Sequence, residues 1–408
     1  MPLATDILSS GVVRVFLLPY KVDRPFRMPW ITIALIAANV IIFAIAASTG
    51  LDRAIAMFGF RPNAAGMVTW LSSMFLHADP FGHLLGNMYF LWLFGSVVED
   101  AIGSLRYLLL YFLGGLGAAV VHALFVLTLM PAARNIPAIG ASGAIAAIMG
   151  IFAVRLYRSK VKFVWCFMYR FSTASMPSPV AIGLWGGREI IYSALAIGTA
   201  GSGVANWAHV GGLLAGVSMA LLSGGIRSAT AEYMTESASR YATGGTREVA
   251  AGMYAELAAK DPTNAVLRLQ YARELVQLNP PLAEKAATEY RSGIDLLARG
   301  GKAIEAHDAA DEAARVLSGS GLTPQSLVAV AGAAESARHL EAAERLYREA
   351  AGCGIACAAL ERARFRLAHV MLALGKTEDA RAEWHRFLEA YPSSDFAGFG
   401  DRALEPQG

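Results

Sequence analysis

Two short segments of the sequence could together supply a nucleophile and a base. Ser142 lies in GASG at 140–143, where a loop enters an apolar stretch, and His209 lies in AHVGG at 208–212, inside another apolar stretch. A serine hydroxyl is a weak nucleophile until a base takes its proton, and histidine titrates near neutral pH. Each segment alone also has an ordinary interpretation, as small residues for helix packing or as a histidine that hydrogen-bonds a neighbouring helix.

The position of Ser142 favours reaction at a carbonyl group. Its hydroxyl lies near a predicted helix N-terminus, where backbone N–H groups are free to stabilise an oxyanion. Gly140 and Gly143 allow the backbone and a substrate to come close.

Small residues also predict that the two helices lie against each other. Gly212 and Gly216 form a small-xxx-small stripe on the helix that carries His209. Gly143 and Gly150 offer a matching surface on the helix that follows Ser142. Such stripes allow close backbone approach between membrane helices.

A second pair of polar residues lies on one face of another apolar helix. His83 and Asn87 are four residues apart, so both side chains project from the same face. Two neutral donors in a dry site suit an oxyanion hole, and the alternative is polar contact between helices. His77 is expected in the loop before this helix.

The remaining polar groups in apolar stretches are harder to assign. Arg188 and Glu189 are adjacent, so an ion pair between them is not expected on a helix; they could snorkel, face a water-filled cleft or mark a loosely packed helix. His122 is expected to be structural. A metal site built from His77, His83, His122 and His209 is disfavoured, because there is no H-E-x-x-H motif and no carboxylate lies within helical reach of any of them inside a span; no cofactor is predicted. Cys353 and Cys357 are expected to be small buried helix residues rather than half a metal site.

The composition predicts a membrane protein. Hydrophobic residues make up 55% of the 408 residues and charged residues 16%, which disfavours disorder and a wholly soluble chain. Six apolar stretches are candidate transmembrane helices: Trp30–Ser48, Phe81–Val98, Tyr107–Met130, Ile139–Val154, Pro179–Ile197 and Val204–Ser223. Between the fourth and fifth, Val161–Phe171 is short and basic, and is expected to lie at the interface or to extend the fifth span.

The charges divide the chain and orient it. Residues 1–228 hold 15 basic and 7 acidic side chains, whereas residues 229–408 hold 20 and 25, so the net charge of +3 gives no reason to expect nucleic acid as a partner. Loops on one side of the six spans carry eleven Lys and Arg, and the others carry three. This bias places both termini in the cytoplasm. The N-terminus does not resemble a cleavable signal peptide.

Five motifs in a fixed order resemble the rhomboid intramembrane serine proteases, over roughly Pro29–Ser223. They are PW at 29–30 with the span that follows, FLHA at 75–78 with HLLGNMYF at 83–90, FG at 94–95 through Glu99 to RY at 106–107, IGASGAI at 139–145, and AHVGG at 208–212.

The resemblance implies a catalytic dyad with Ser142 as nucleophile and His209 as general base, without a third acidic member. It implies an oxyanion hole formed by His83, Asn87 and the Ser142 backbone N–H. Substrates would be transmembrane segments of other proteins in the lipid bilayer, cleaved near their outer end. Some family members place a tyrosine four residues after the serine; here Ala146 stands there.

Without that tyrosine, Trp185 or Trp207 is the candidate for aromatic contact with the base histidine. Span 5 is where the family is thought to admit substrate, so charged residues there are unexpected.

The C-terminal part resembles a tetratricopeptide-like array of paired helices. Ala359–Pro392 matches best, with its turn at Gly375; Ser326–Ala351 is a second copy with Arg338 in place of that glycine, and Asp261–Ala298 is a weaker third. Residues 301–321 are helical but off-register. We expect a short α-solenoid that binds an unknown protein or peptide, the alternative being a stabilising or oligomerising appendage.

The sequence thus predicts an all-α protein with four parts: a cytoplasmic segment (1–28), a six-helix rhomboid-like protease domain (29–225), a linker (226–245) and a helical repeat domain (246–408). The expected function is a serine endopeptidase of the bacterial inner membrane. The alternatives are a catalytically silent relative that binds membrane helices, and a membrane-anchored scaffold that acts through its repeats.

Overall fold

The computed structural model describes residues 16–64, 66–167, 170–195, 197, 206–317, 322–353, 358–399 and 404. The chain divides into two compact units, residues 1–230 and 231–408. Helices dominate both units, in agreement with the predicted fold class. Cys357 lies outside the described residues.

The first unit is a bundle of apolar helices. Its helices are α1 (Trp30–Thr49), α2 (Leu51–Phe58), α3 (Met67–Ser73), α4 (Leu85–Phe90), α5 (Ser96–Ile102), α6 (Ser104–Leu129), α7 (Ser142–Arg155), α8 (Ser178–Leu195) and α9 (Asn206–Leu222), and α10 (Gly225–Thr243) continues into the second unit. Two π-helical turns, Pro80–Leu84 and Leu91–Gly95, join α4 and α5 into a single span over Pro80–Ile102.

Each of the six predicted spans coincides with a helix, but they differ in length. Among the described residues, Trp30–Thr49, Pro80–Ile102 and Ser104–Leu129 are long and apolar enough to cross a membrane, and α9 with α10 qualifies only as a pair bent by 63°. Helix α7 has 14 residues, about 21 Å at 1.5 Å per residue, against a hydrocarbon core of about 30 Å. It starts three residues later than predicted because Gly140, with φ at +115°, cannot be helical.

The segment predicted to lie at the interface or to extend the fifth span is a pair of strands, and the all-α prediction was incomplete here. Strands β1 (Phe16–Val22), β2 (Lys160–Phe167) and β3 (Arg170–Pro177) form an antiparallel sheet in that order. Val161 and Phe163 are buried on either side of Lys162. This alternation is typical of a half-buried strand. It decides the structure of the segment, although the overall apolar character had suggested part of a membrane span.

A buried carboxylate anchors the first helix to the bundle. Glu99, on α5, accepts hydrogen bonds from the backbone N–H groups of Ile31 and Thr32 and from the hydroxyls of Thr32 and Ser104, at 2.7–3.0 Å. Helix N-termini attract anions because their first N–H groups lack partners, so this contact fixes where α1 begins.

The backbones of helices α7 and α9 lie in direct contact, as the glycine stripe predicts. A methyl group on Gly212 would overlap the carbonyl oxygen of Gly143, and one on Gly216 would overlap that of Ala147. A Cβ on Gly150 would lie 2.6 Å from the carbonyl oxygen of Leu213. The absence of side chains at these positions therefore sets the separation of the two helices.

The second unit is a run of antiparallel helices. They are α11 (Arg247–Lys260), α12 (Ala265–Val276), α13 (Ala283–Arg299), α14 (Ala303–Val316), α15 (Pro324–Ser336), α16 (Leu340–Gly352), α17 (Ala358–Ala373) and α18 (Thr377–Ala390). Its core combines small alanines with larger apolar residues, and Tyr290, Tyr347 and Phe387 are fully buried in it. The segment predicted as a linker contains α10.

Equivalent turns join the helices of this unit. Gly301, Arg338 and Gly375 have φ values of 72°, 63° and 77°, and in each turn the next residue's N–H donates to the carbonyl five residues before it. These turns recur at intervals of 37 residues. Arg338 is the one residue other than glycine with positive φ in the described part of the chain. It occupies the place of the turn glycine, as the alignment of the two copies predicts.

We expect Arg338→Gly to raise the free energy of unfolding by about 0.5–1 kcal/mol. The left-handed conformation strains a residue with a Cβ by about 1–2 kcal/mol, and glycine removes this strain. Glycine also has more conformational freedom in the unfolded chain, which cancels part of the gain in stability. Urea unfolding of the full chain in detergent, followed by circular dichroism, measures the change.

The matched control is Gly375→Ala. Nothing lies within 4 Å of a Cβ at that position, so only backbone strain acts there, and the variant is expected to lose about 1 kcal/mol. Equal or lower stability of Arg338→Gly would show that the arginine turn carries no strain.

Candidate active site

Ser142 is held by the loop that precedes its helix. Ala138 and Phe60 exchange both backbone hydrogen bonds, and the Gly140 N–H donates to the carbonyl of Ser73 at 2.8 Å. The positive φ of Gly140 then turns the chain so that α7 starts at Ser142. As the first residue of a helix, Ser142 has a backbone N–H without an intrahelical acceptor.

The structure brings Ser142 and His209 together. His209 lies on the first turn of α9, and its Nε2 is 2.8 Å from Ser142 Oγ. The imidazole is buried, whereas the serine is half-buried. The contact follows from the close approach of α7 and α9, because each residue lies on the first turn of its own helix at that crossing.

The other ring nitrogen of His209 contacts a carboxylate. His209 Nδ1 is 2.8 Å from Glu189 Oε2, and Glu189 comes from α8, a third helix. Its side chain is 4% exposed. An acidic third member was not expected, since the resemblance implied a dyad.

The expectation that Arg188 and Glu189 do not pair was wrong. Arg188 Nη1 lies 2.9 Å from Glu189 Oε1, and the guanidinium carbon lies 4.8 Å from the centre of the Tyr192 ring. Adjacent Cβ atoms diverge on a helix, but the arginine side chain is long enough to reach back across that angle. Both oxygens of the Glu189 carboxylate therefore have partners: one contacts Arg188 and the other contacts His209.

His83 and Asn87 converge on Gly140, beside the serine. A Cβ on Gly140 would lie 2.5 Å from His83 Nε2 and 3.5 Å from Asn87 Nδ2. His83 Nδ1 accepts the N–H of Ala78 at 3.2 Å, so the neutral ring carries its proton on Nε2, the atom nearer Gly140. Within the described residues Asn87 Nδ2 is buried without an acceptor. Two donors therefore face the space next to Ser142.

Two polar residues support the His83 side of the site. The carboxylate of Asp79 accepts the N–H groups of Gly82 and His83 at 2.6 and 3.2 Å, which lowers its pKa and caps the helix. His77 is in the loop, as predicted, with its ring 4.9 Å from that of His83. Burial and the neighbouring His83 lower the pKa of His77 to about 4, so it is neutral at physiological pH. The sequence signal for Asp79 was available, since aspartate before proline is a typical helix start.

A small cavity of about 60 Å³ lies beside the serine. It is lined by Ser142 and Gly143, by Trp70 of α3, by Met74 just after α3, and by residues of α6 that include His122. His122 is buried and its ring lies 6.4 Å from that of Phe60. The cavity is large enough for a small side chain or a few waters.

Of the two tryptophans predicted as candidates for contact with His209, Trp185 is the one that contacts it. Its ring centre is 6.1 Å from that of His209, and it comes from the same helix as Glu189. Trp207 stacks on Phe125 instead, at 3.8 Å. A Cβ on Gly212 of α9 would lie 3.1 Å from the Ala146 Cβ, so the present helix spacing leaves no room for a tyrosine side chain between them.

This arrangement can perform acyl transfer. The Ser142 hydroxyl contacts the His209 imidazole, and the Glu189 carboxylate accepts on the other side of that ring. The donors of His83 and Asn87 lie beside the hydroxyl, where an oxyanion would form. Among the described residues no group of three His, Cys, Asp or Glu side chains is arranged to hold a metal ion.

Comparison with known proteins agrees with the sequence motifs. Residues 64–226 match the family described as Rhomboid domain. The human protein named "Presenilin-associated rhomboid-like protein, mitochondrial" is 26% identical over 192 residues, which cover 45% of each chain. In Arabidopsis thaliana, "RHOMBOID-like protein 6, mitochondrial" is 31% identical over 152 residues, 36% of this chain and 40% of that protein.

A third relative, "Rhomboid-like protein 11, chloroplastic" of Arabidopsis thaliana, is 35% identical over 96 residues, 24% of this chain and 30% of that protein. The chain spans no more than about half the length of these curated relatives. The domain match and the relatives support the rhomboid family, and the apolar helices support an integral membrane protein.

We expect Gly140→Ala to slow reaction of Ser142 with a fluorophosphonate probe by about 100-fold. The new methyl would displace the His83 ring from the donor position, and removal of one such donor typically costs 10²–10³ in rate. Gly103→Ala is the control for backbone strain, because Gly103 also has a positive φ, 85°, and nothing lies within 4 Å of a Cβ there. A Gly140→Ala variant that is labelled as fast as wild type would remove His83 from the site.

Proposed function

We propose that the rhomboid domain of this chain is an intramembrane serine endopeptidase, with Ser142 as nucleophile and His209 as general base. The observation that carries the proposal is the 2.8 Å contact between Ser142 Oγ and His209 Nε2, at the entrance of a bundle of apolar helices. A half-buried serine and a buried histidine in direct contact have no structural need for each other, since either could donate a hydrogen bond to a backbone carbonyl instead.

The first half of the reaction forms an ester. Ser142 Oγ attacks the carbonyl carbon of the scissile peptide bond while its proton passes to His209 Nε2. The carbonyl oxygen becomes an oxyanion, which accepts hydrogen bonds from His83 Nε2–H, the amide of Asn87 and the Ser142 backbone N–H. As the C–N bond breaks, the imidazolium returns its proton to the leaving amine.

The second half releases the product. A water molecule donates its proton to His209 Nε2 and attacks the ester carbon, so that the same oxyanion donors act again. The proton then passes to Ser142 Oγ as the ester bond breaks, which regenerates the starting state and releases a carboxylate.

The proposed substrates are transmembrane segments of other proteins. The residues around the site belong to helices whose outer faces are apolar, with Leu184 63% and Ile191 61% exposed on α8. An intact helix hides its carbonyls in its own hydrogen bonds, so cleavage requires a segment that unwinds easily. Glycine and other helix-destabilising residues near the outer end of the segment meet that need.

The proposed topology follows the positive-inside rule, with six crossings and both termini in the cytoplasm. The sequence alone predicted the bacterial inner membrane. The names of the relatives instead place those proteins in mitochondria and chloroplasts, and this favours an organellar membrane for this chain.

For the second unit we propose a tetratricopeptide-like solenoid that binds a protein or peptide partner, on the basis of its helix pairs and its turns at 37-residue intervals.

We expect purified wild-type protein in liposomes to cleave a labelled transmembrane peptide with a glycine-containing segment. Ser142→Ala and His209→Ala are each expected to reduce cleavage by 10³-fold or more, because removing either member leaves no activated nucleophile. Gel analysis of the labelled fragments gives the rates, and mass spectrometry gives the cleaved bond.

His122→Ala is the control, since His122 lies by the cavity and plays no part in the proton transfers. Equal cleavage by Ser142→Ala would point to a contaminating protease and contradict the assignment. If the wild-type protein neither cleaves the peptide nor reacts with a fluorophosphonate probe, the result supports the alternative function, a catalytically silent relative that binds membrane helices.

A further inference from the structure

The carboxylate of Glu189 is buried where an apolar side chain would be expected. It lies on a helix with exposed apolar residues on its outer face, and an ionised carboxylate is costly to remove from water unless it is paired. Both of its oxygens have partners, Oε2 on His209 Nδ1 and Oε1 on Arg188 Nη1. A charged group kept at such a position is typical of a functional site in a membrane protein.

A carboxylate at His209 Nδ1 determines where the ring carries its proton. An ionised carboxylate only accepts hydrogen bonds, so Nδ1 is the donor in a contact of 2.8 Å. In a neutral imidazole the other nitrogen then has a free lone pair, and that nitrogen, Nε2, is the one that faces Ser142 Oγ. Glu189 thus selects the tautomer that can accept the serine proton.

Arg188 fixes the orientation of the Glu189 carboxylate at the histidine. The guanidinium is a donor only, it binds Oε1 at 2.9 Å, and it rests over the Tyr192 ring. The carboxyl plane is therefore held by an ion pair on one side and by the imidazole on the other. Trp185, one turn earlier on the same helix, packs against that imidazole.

We propose that Glu189 is a positioning residue for the peptidase reaction: it fixes the tautomer and orientation of His209 and stabilises the imidazolium that forms when Ser142 loses its proton. This inference rests on the function proposed above. The proton stays on His209 and does not pass to Glu189, in the way of other serine hydrolases with an acidic third member.

The test is Glu189→Gln, read by fluorophosphonate labelling of the full chain in liposomes. In this reaction the Ser142 Oγ–phosphorus bond forms, the phosphorus–fluorine bond breaks, fluoride leaves, and the serine proton passes to His209. Arg188 holds the amide oxygen of the new glutamine, so the amide NH₂ group faces His209 Nδ1 and favours the tautomer with its proton on Nε2. We expect the maximal labelling rate to fall on the order of 10³-fold, with the half-saturating probe concentration within about threefold of wild type.

A double variant separates this mechanism from damage to the fold. In Arg188→Ala/Glu189→Gln no cation holds the amide oxygen, so the amide can rotate and its oxygen can accept a hydrogen bond from His209 Nδ1–H. We expect at least tenfold faster labelling than in Glu189→Gln alone. Ser193→Ala is the matched control, one turn along α8 and buried like Glu189, and it is expected to label at the wild-type rate.

The outcomes separate the two proposals. If wild type is not labelled at Ser142, the proposed function fails whatever Glu189 does. If wild type is labelled and Glu189→Gln reacts at the same maximal rate, the positioning role is overturned. If the double variant is no faster than Glu189→Gln, selection of the tautomer by Glu189 and Arg188 is overturned.

Discussion

The site depends on the distance between two helix backbones. Helices α7 and α9 meet where Gly212 and Gly216 leave room for the carbonyl oxygens of the opposite helix. Any side chain at these positions would separate the helices by more than the tolerance of a hydrogen bond between Ser142 and His209. Packing of small residues, which drives helix association in membranes, is therefore also what aligns Ser142 with His209, the proposed nucleophile and base.

A second constraint is the cost of polar groups in apolar surroundings, and the molecule meets it by pairing. Glu99 is buried with donors from the start of α1 and from Ser104, and Glu189 is buried between Arg188 and His209. The pairing is incomplete: within the described residues the amide nitrogen of Asn87 is buried next to Ser142 without an acceptor, and the hydroxyls of Ser96 and Ser193 are buried without partners elsewhere in the bundle. In the proposed reaction, the oxyanion would supply the acceptor that the Asn87 amide lacks.

Local spacing in the sequence was enough to predict the helices that carry the site. The glycine stripe predicted that α7 and α9 would pack, and the interval from Arg338 to Gly375 predicted equivalent turns. Both predictions depend on neighbours along the chain, where period and turn chemistry are directly readable.

Contacts between distant segments could not be read in the same way. Glu189 reaches His209 from another helix, and no motif records which face of α8 turns inward. The strands were missed because β2 needs β1, some 140 residues earlier, as its partner. A lone apolar segment does not show whether it will be a strand or a helix.

The position of the proton on His209 tests the central claim most directly, because that proton joins the histidine to both of its partners. Nitrogen-15 NMR of histidine-labelled protein, with the His209 signal identified by its loss in His209→Ala, distinguishes a protonated from an unprotonated ring nitrogen. The account predicts a neutral ring with its proton on Nδ1 and a free lone pair on Nε2. A neutral ring protonated on Nε2 could not take the proton of Ser142, and that result would contradict the account.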